Sequence, residues 1–231
     1  MSFVEGIYPA VFTPMHADLA VDVEALKAHC RSLIEQGCAG VVLFGTSGEG
    51  PSFTAAEKLA AYAAVASGEQ AVAPQKLLLG NGAASLLETV EVLRGGLELG
   101  CPGFLVCPPS FYKGCAEEGV LEYYRQLIAR TRGSSSSAVA PRVILYHIPQ
   151  FSGVPITLSV ARTLAAEFPG IVVGVKESEG SLPLLKSYID AIPGFQVFPG
   201  NERHLLEALS YVSQLVSQLV SLFLSLSLSL S

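Results

Sequence analysis

Short runs of Val, Ile, Leu and Phe recur along the chain, and each is followed by a segment whose apolar residues repeat with helical spacing. This alternation predicts a parallel sheet built from β/α units. Each run is almost continuously apolar, so we expect both of its faces to be covered, as in a barrel or a doubly wound sheet. Seven strands are predicted, at Tyr8–Phe12, Gly40–Phe44, Lys76–Leu79, Gly103–Cys107, Arg142–Tyr146, Ile171–Val175 and Phe195–Phe198.

The helices between these runs have recognisable ends. Thr54-Ala-Ala-Glu57 is a capping-box pattern that predicts a helix start. Gly37, Gly100 and Gly170 are expected just beyond helix C-termini, where glycine adopts left-handed backbone at little cost. Residues 35–45 and 98–108 both pass from a helix end through Gly-Cys into a strand, which predicts equivalent units two repeats apart.

Two segments depart from this pattern. The Ser-rich segment 133–141 predicts a surface loop without a function of its own, inside a single barrel domain of residues 1–210. Residues 211–231 form a low-complexity, Ser/Leu-rich tail that ends in strict Leu-Ser alternation. A translated CT-dinucleotide tract encodes such alternation, so our hypothesis is a frameshift, a retained intron or a mispredicted exon. An amphipathic helix and a membrane anchor are the alternatives.

Composition and charge narrow the function. Lys and Arg number 14 against 20 Asp and Glu, a net charge of -6, which disfavours a nucleic-acid partner and favours a small-molecule substrate. The five cysteines are odd in number and lack CxxC spacing, so we expect reduced thiols and neither disulfides nor a zinc site. The N-terminus has neither a signal-peptide nor a transit-peptide pattern, so we expect a cytoplasmic protein without membrane association.

The carboxyl ends of the strands hold the candidate chemistry, because the active site of a β/α barrel lies there. Lys176 directly follows the sixth run, where desolvation would favour a neutral, nucleophilic amine. The alternative is a lysine that reaches solvent or pairs with Glu177. Tyr146 ends the fifth run, where its phenol could transfer protons or could simply pack as a core aromatic.

A glycine-rich turn follows the second run. Thr46, Ser47 and Gly48 offer two hydroxyls and backbone N–H groups that could hold a substrate carboxylate. The alternative is an ordinary turn in which the hydroxyls cap backbone groups. Neither a phosphate-binding GK[ST] loop nor a GxGxxG dinucleotide motif is present, so these ligands are not predicted.

The histidines do not indicate a metal. His147 follows Tyr146 on the same run and should point to the opposite face, so we predict a structural role for it. His16, His29 and His204 have no metal-ligand spacing. We therefore predict neither a metal nor a cofactor.

Three motifs in this order, GTSGEG (45–50), YHIPQFSG (146–153) and GVKES (174–178), resemble those of the dihydrodipicolinate synthase / N-acetylneuraminate lyase family of class I aldolases. The resemblance implies a TIM (β/α)8-type barrel, a homo-oligomer and catalysis without a cofactor. It implies that Lys176 forms a Schiff base with pyruvate or a 2-keto acid and that Tyr146 transfers protons. Thr46 and Ser47 would bind the carboxylate, and Ser47 would also act in the proton relay.

The chain departs from the family pattern in three places. Phe151 stands where dihydrodipicolinate synthases carry an arginine for the carboxylate of the aldehyde partner. The aromatic residue that many members lend across a subunit interface falls at Phe111 or Tyr112, of which Tyr112 alone has a hydroxyl. The resemblance stops near Leu209, so we expect an incomplete barrel of about seven strands, with unpaired edges that favour aggregation.

The leading hypothesis is therefore a pyruvate-dependent class I aldolase or lyase that makes or breaks a C–C bond with an aldehyde partner. One alternative is 4-hydroxy-tetrahydrodipicolinate synthase, which uses pyruvate and L-aspartate-4-semialdehyde and which Phe151 disfavours. A second alternative is a truncated relic without catalytic activity.

Overall fold

The computed structural model describes residues 6–132, 140–204 and 206–208. Parallel strands alternate with helices along these ranges. The strands are β1 (Val41–Leu43), β2 (Leu77–Asn81), β3 (Phe104–Val106), β4 (Val143–His147), β5 (Val172–Glu177) and β6 (Gln196–Pro199). The helices are α1 (Val23–Glu35), α2 (Ala55–Val65), α3 (Leu86–Glu98), α4 (Glu117–Arg132), α5 (Pro149–Ser152), α6 (Leu158–Glu167) and α7 (Leu182–Ala191).

The six strands form one parallel sheet in the order β1-β2-β3-β4-β5-β6. This order, with helices between successive strands, is that of a curled half-barrel, and it confirms the predicted barrel-type α/β fold, to which the described residues contribute six strands. Apolar side chains are buried on both faces. The outer cluster lies between sheet and helices, and the inner cluster includes Val42, Leu78, Leu105, Ile144 and Phe198. Burial of both faces explains the continuously apolar runs.

The prediction of a full first strand is wrong. Within the described ranges, Tyr8–Phe12 forms a single parallel bridge, between Ala10 and Val42. The N–H of Val42 donates to the carbonyl oxygen of Pro9 at 2.8 Å and the N–H of Val11 donates to that of Val42 at 3.1 Å, but Pro9 has no N–H with which to continue the ladder. The segment therefore runs beside β1 without completing a ladder, and each of the other six predicted runs overlaps an observed strand.

The predicted helix ends are confirmed. Thr54 Oγ1 accepts a hydrogen bond from the N–H of Glu57, and the Glu57 carboxylate accepts one from the N–H of Thr54, which completes the capping box at α2. Gly37, Gly100 and Gly170 follow α1, α3 and α6 with φ of 101°, 79° and 75°. The two echoing segments connect α1 with β1 and α3 with β3, as equivalent units should.

Some predictions concern residues outside the described ranges. These are the Ser-rich segment at 133–139 and the tail from 211 to 231, so the boundary at residue 210 stays a prediction. No disulfide joins the five cysteines, all of which lie in the described ranges. No helix in those ranges combines the length and the apolar character needed to cross a membrane.

Candidate active site

Lys176 and Tyr146 lie side by side at the carboxyl end of the sheet. They are register partners on β5 and β4, and both side chains are buried, with exposed fractions of 3% and 6%. The Lys176 Nζ atom lies 4.7 Å from the centroid of the Tyr146 ring, a distance at which the face of an aromatic ring attracts an ammonium group. The strand pairing thus places an amine against a phenol within one layer of side chains.

The loop after β1 reaches the same place. Thr46 Oγ1 and the Tyr146 hydroxyl form a hydrogen bond of 3.0 Å across 100 residues of sequence. Lys176, Tyr146 and Thr46 therefore form one continuous group, contributed by β5, β4 and the loop that follows β1. These are three of the residues that the sequence predicts for the site.

Close backbone packing gives the loop at 45–50 its shape. Phe44, which enters it, has a φ of 54°, an uncommon value for a bulky residue. A Cβ on Gly50 would lie 2.1 Å from the Phe44 carbonyl oxygen, and a Cβ on Gly48 would lie 2.6 Å from the carbonyl oxygen of Val11. Thr13 Oγ1 also donates to the Gly48 carbonyl oxygen at 2.7 Å. Glycine is required at both positions, and the close contacts of Gly48 show that it contributes to the packing of the loop.

A cavity of about 150 Å³ opens beside the Tyr146 phenol. Its walls come from the ends of β1 to β4, from the loops that follow them and from α5. A cavity of this size can hold a ligand as large as benzene. It is lined by Phe44, Gly45, Thr46, Pro51, Gly80, Asn81, Gly82, Leu105, Cys107, Ser110, Tyr146, Ile148, Phe151 and Ser152.

The other predicted site residues differ in their burial and in whether they line the cavity. Ser47 is half-buried and follows Thr46 in the loop. Phe151, on α5, lines the cavity although 68% of its surface is exposed. Tyr112 is 82% exposed and packs edge-to-face on Phe111 with ring centroids 5.2 Å apart. Tyr112 is absent from the cavity lining, so the predicted role of its hydroxyl at the site stays untested.

Several lining residues were not predicted as site residues. Asn81 ends β2 and Cys107 follows β3, so the strand-end rule that selected Lys176 would also have selected these two. Burial raises the pKa of the Cys107 thiol to about 12, and the thiol is therefore protonated at neutral pH. Ser110 and Ile148 have no comparable signal, since neither directly follows an apolar run.

The outer face of the same strand ends holds a second polar group. His147 is 2% exposed, and its Nδ1 accepts a hydrogen bond from the N–H of Ile156 at 3.0 Å. That bond leaves the proton of a neutral imidazole on Nε2, which lies 3.1 Å from Glu179 Oε2. The prediction that His147 faces away from Tyr146 is confirmed.

Glu177 lies beside His147 as its register partner on β5. Burial raises the pKa of its carboxyl group, an effect that hydrogen bonds from the 179–181 backbone and the nearby His147 partly offset. The ligand atoms of His147, Glu177 and Glu179 lie within 4.8 Å of one another, close enough to share a cation. Both imidazole nitrogens already have protein partners, which favours a hydrogen-bonded network.

Sequence comparison places this geometry in a family. The model of the Dihydrodipicolinate synthetase family matches residues 3–220. The chain belongs to this family. It is 35% identical over 213 residues to an uncharacterised DapA-like lyase of Chloroflexus aurantiacus, covering 91% of this chain and 68% of the relative. It is 26% identical over 205 residues to a 4-hydroxy-tetrahydrodipicolinate synthase of Desulforamulus reducens, covering 88% and 65%.

Solved structures of the family share the fold. Dihydrodipicolinate synthase from Agrobacterium tumefaciens superimposes with a TM-score of 0.83 at 27% identity, over 94% of this chain and 72% of that one. YagE, a prophage protein of the same family from Escherichia coli K12 solved in complex with pyruvate, gives a TM-score of 0.81 at 25% identity, over 94% and 69%. The chain thus spans about two thirds of the length of its relatives. Its fold is that of the family's aldolases and lyases.

Proposed function

We propose that the protein is a pyruvate-dependent class I aldolase or lyase in which Lys176 forms a Schiff base with pyruvate or another 2-keto acid. The observation that carries this proposal is the buried Lys176 amine against Tyr146, whose hydroxyl is bonded to Thr46. A 2-keto acid needs a nucleophile at its ketone carbon, donors at its carboxylate and a proton carrier between them. These are the chemical types of Lys176, Thr46 with Ser47, and Tyr146.

The first step forms a C–N bond. The neutral Lys176 amine attacks the ketone carbon, the oxygen leaves as water after protonation, and an iminium remains. Tyr146 can deliver and recover these protons through the hydroxyl that it shares with Thr46. Pyruvate has six non-hydrogen atoms, as benzene does, and therefore fits a cavity of about 150 Å³.

The iminium then acts as an electron sink. Loss of a methyl proton to Tyr146 gives an enamine, whose carbon adds to the carbonyl carbon of an aldehyde. The new C–C bond forms as the C=O π bond breaks, the aldehyde oxygen takes a proton back from Tyr146, and the iminium is restored. Water then cleaves the iminium and returns the free amine. Lyase activity is the same sequence in reverse, with the electron pair of the broken C–C bond taken up by the iminium. Each step draws on side chains and water.

Borohydride trapping tests the proposal directly. We expect pyruvate followed by sodium borohydride to leave a reduced pyruvyl adduct on the peptide that contains Lys176, detected by mass spectrometry. Lys176→Ala should abolish the adduct. Lys186→Ala should retain it, because Lys186 pairs with Asp190 on the surface of α7. A folded wild-type protein that yields no adduct would overturn the proposal.

The aldehyde partner separates the leading function from its main alternative. Relatives named 4-hydroxy-tetrahydrodipicolinate synthase favour L-aspartate-4-semialdehyde, which carries a carboxylate. Phe151 lines the cavity with an apolar ring, and such a ring offers no donor for a carboxylate. We therefore expect faster turnover with uncharged aldehydes. Preference for L-aspartate-4-semialdehyde over uncharged aldehydes of equal length would establish the synthase instead.

The remaining alternative is a protein that binds but does not turn over. Adduct formation on Lys176 without C–C bond formation, across aldehydes with and without carboxylates, would support this relic. Turnover with any aldehyde excludes it.

A further inference from the structure

His147 connects three segments that meet behind the candidate site. It ends β4, one residue after Tyr146. Its Nδ1 accepts from the N–H of Ile156, in the segment that leads to α6, and its Nε2 meets Glu179, in the loop between β5 and α7. The side chain is 2% exposed, whereas that of Glu179 is 52% exposed. One buried imidazole therefore ties a strand end to two loops.

The backbone around His147 continues the same connection. The N–H of Ser178 donates to the His147 carbonyl oxygen at 2.9 Å, which extends the β4–β5 pairing by one residue. Glu177, which follows Lys176, accepts a bifurcated hydrogen bond from the N–H of Gly180, at 3.0 and 3.2 Å to its two carboxylate oxygens. The loop that His147 holds through Glu179 is thus the direct continuation of the Lys176 strand.

Packing alone does not explain an imidazole at this position. An apolar side chain would fill the outer layer between sheet and helices, as Leu145 does two residues earlier on β4. The imidazole instead makes two directed bonds whose donor and acceptor roles match. Nδ1 must accept because Ile156 donates, and Nε2–H can then donate to a carboxylate. Such a pair of bonds orients the end of a strand as well as stabilising it.

We infer that His147 is a positioning residue, whose bond to Glu179 holds the ends of β4 and β5 so that the Tyr146 phenol faces the Lys176 amine. This inference rests on the proposed function, in which Tyr146 moves protons to and from a pyruvate bound to Lys176. A shift of about 1 Å between reacting groups can lower a rate about a hundredfold. The histidine does not touch the substrate and acts through the geometry of its two neighbours.

Pyruvate alone is a sufficient probe, because one readout reports on Lys176 and a second readout reports on Tyr146. Borohydride trapping reports the imine on Lys176. Exchange of the pyruvate methyl protons for deuterium, followed by NMR in D2O, reports enamine formation and so the proton transfer assigned to Tyr146. A histidine that only stabilises the fold lowers both readouts together, in proportion to the folded fraction.

Two substitutions of His147 test the two hydrogen bonds of the imidazole separately. The amide of His147→Gln reaches the Nε2 position and can still donate to Glu179, whereas the amide of His147→Asn reaches only the Nδ1 position. We expect His147→Asn to retain trapping and to lower kcat for methyl exchange about tenfold to hundredfold, with KM for pyruvate unchanged. His147→Gln should recover most of the rate.

Glu179 provides the same test from the exposed side. Glu179→Ala should lower exchange as His147→Asn does, and Glu179→Gln, which keeps an acceptor, should retain it. The double variant His147→Asn/Glu179→Ala should be no slower than either single variant, because each substitution removes the same hydrogen bond between residues 147 and 179. Glu179 is half-exposed, so its variants keep the inference testable if a His147 variant fails to fold.

The outcomes distinguish the two proposals. Wild-type trapping with equal exchange rates per folded molecule in wild type, His147→Asn and Glu179→Ala would overturn the positioning role and leave the aldolase proposal intact. A folded wild type that forms no adduct would overturn both.

Discussion

On the inner face of the β4–β5 pair, Tyr146 lies beside Lys176, and on the outer face His147 lies beside Glu177. All four side chains are buried at the same end of the sheet. The outer pair is held by backbone N–H groups, from Ile156 to His147 and from Gly180 to Glu177. In the inner pair the Lys176 amine lies over the Tyr146 ring, and the Tyr146 hydroxyl is bonded to Thr46 and lines a cavity.

The difference between the faces separates two uses of buried polar groups. Backbone partners cannot leave, so a side chain bound to them has a fixed orientation and contributes to the scaffold. Side-chain hydroxyls beside a cavity can exchange a proton and then re-form their bond. Removal of one group on the inner face should therefore change chemistry more than stability, and removal on the outer face should do the reverse or act through geometry.

The largest effect in this comparison is expected from Tyr146→Phe. Loss of the phenolic proton carrier should lower methyl exchange about 10²-fold to 10⁴-fold, while the retained ring leaves imine trapping on Lys176. Tyr124→Phe is the matched outer-face control, because the Tyr124 hydroxyl donates to the Val106 carbonyl oxygen. That variant should lose about 1 kcal/mol of unfolding free energy in urea and keep its exchange rate. Equal exchange in both variants would remove the distinction between the faces.

Thr46→Val is expected to have an intermediate effect. Valine keeps the shape of threonine but cannot bond to the Tyr146 hydroxyl, so exchange should slow about tenfold, corresponding to one lost hydrogen bond. Thr46→Ser restores a hydroxyl and should restore most of the rate. An exchange rate in Thr46→Val equal to that of wild type would show that the hydroxyl pair takes no part in proton transfer.

The smallest effect is expected on the outer face, from Glu177→Gln. Because burial raises the pKa of this carboxyl in the folded state, the folded protein binds more protons than the unfolded chain between the two pKa values. This group's contribution to the unfolding free energy is therefore favourable at low pH and decreases as pH rises through the folded-state pKa. The wild-type-minus-variant difference in urea unfolding, measured from pH 4 upward, should show this decrease. An increase with pH would contradict it.

Most of the fold could be predicted from the sequence, because strands buried on both faces leave continuous apolar runs and helix ends have local signals. The exception was Tyr8–Phe12, where an apolar run has the composition of a strand but Pro9 removes one of its donors. The apolar composition of a segment indicates that it is buried, whereas strand pairing depends on which of its residues have a backbone N–H to donate.

The site was predicted in part by the same reasoning. Lys176, Tyr146 and Thr46 stand out because each lies at or just after a strand end, but the bond between two hydroxyls 100 residues apart is a product of the fold. The partners of His147 could not be predicted at all. One is the backbone N–H of Ile156, which any residue but proline would supply, so no sequence pattern records it.

Cys107 adds a consequence for the reactivity of the cavity, which it lines together with Tyr146. Aldehydes are electrophiles, and a thiolate in the lining of this cavity would compete for them with the proposed nucleophile, Lys176. With a pKa raised to about 12, the Cys107 sulfur stays a protonated, weakly reactive neighbour at neutral pH. We therefore expect the sulfur not to divert carbonyl compounds that bind in the cavity, and we expect oxidants such as peroxide to spare it for the same reason.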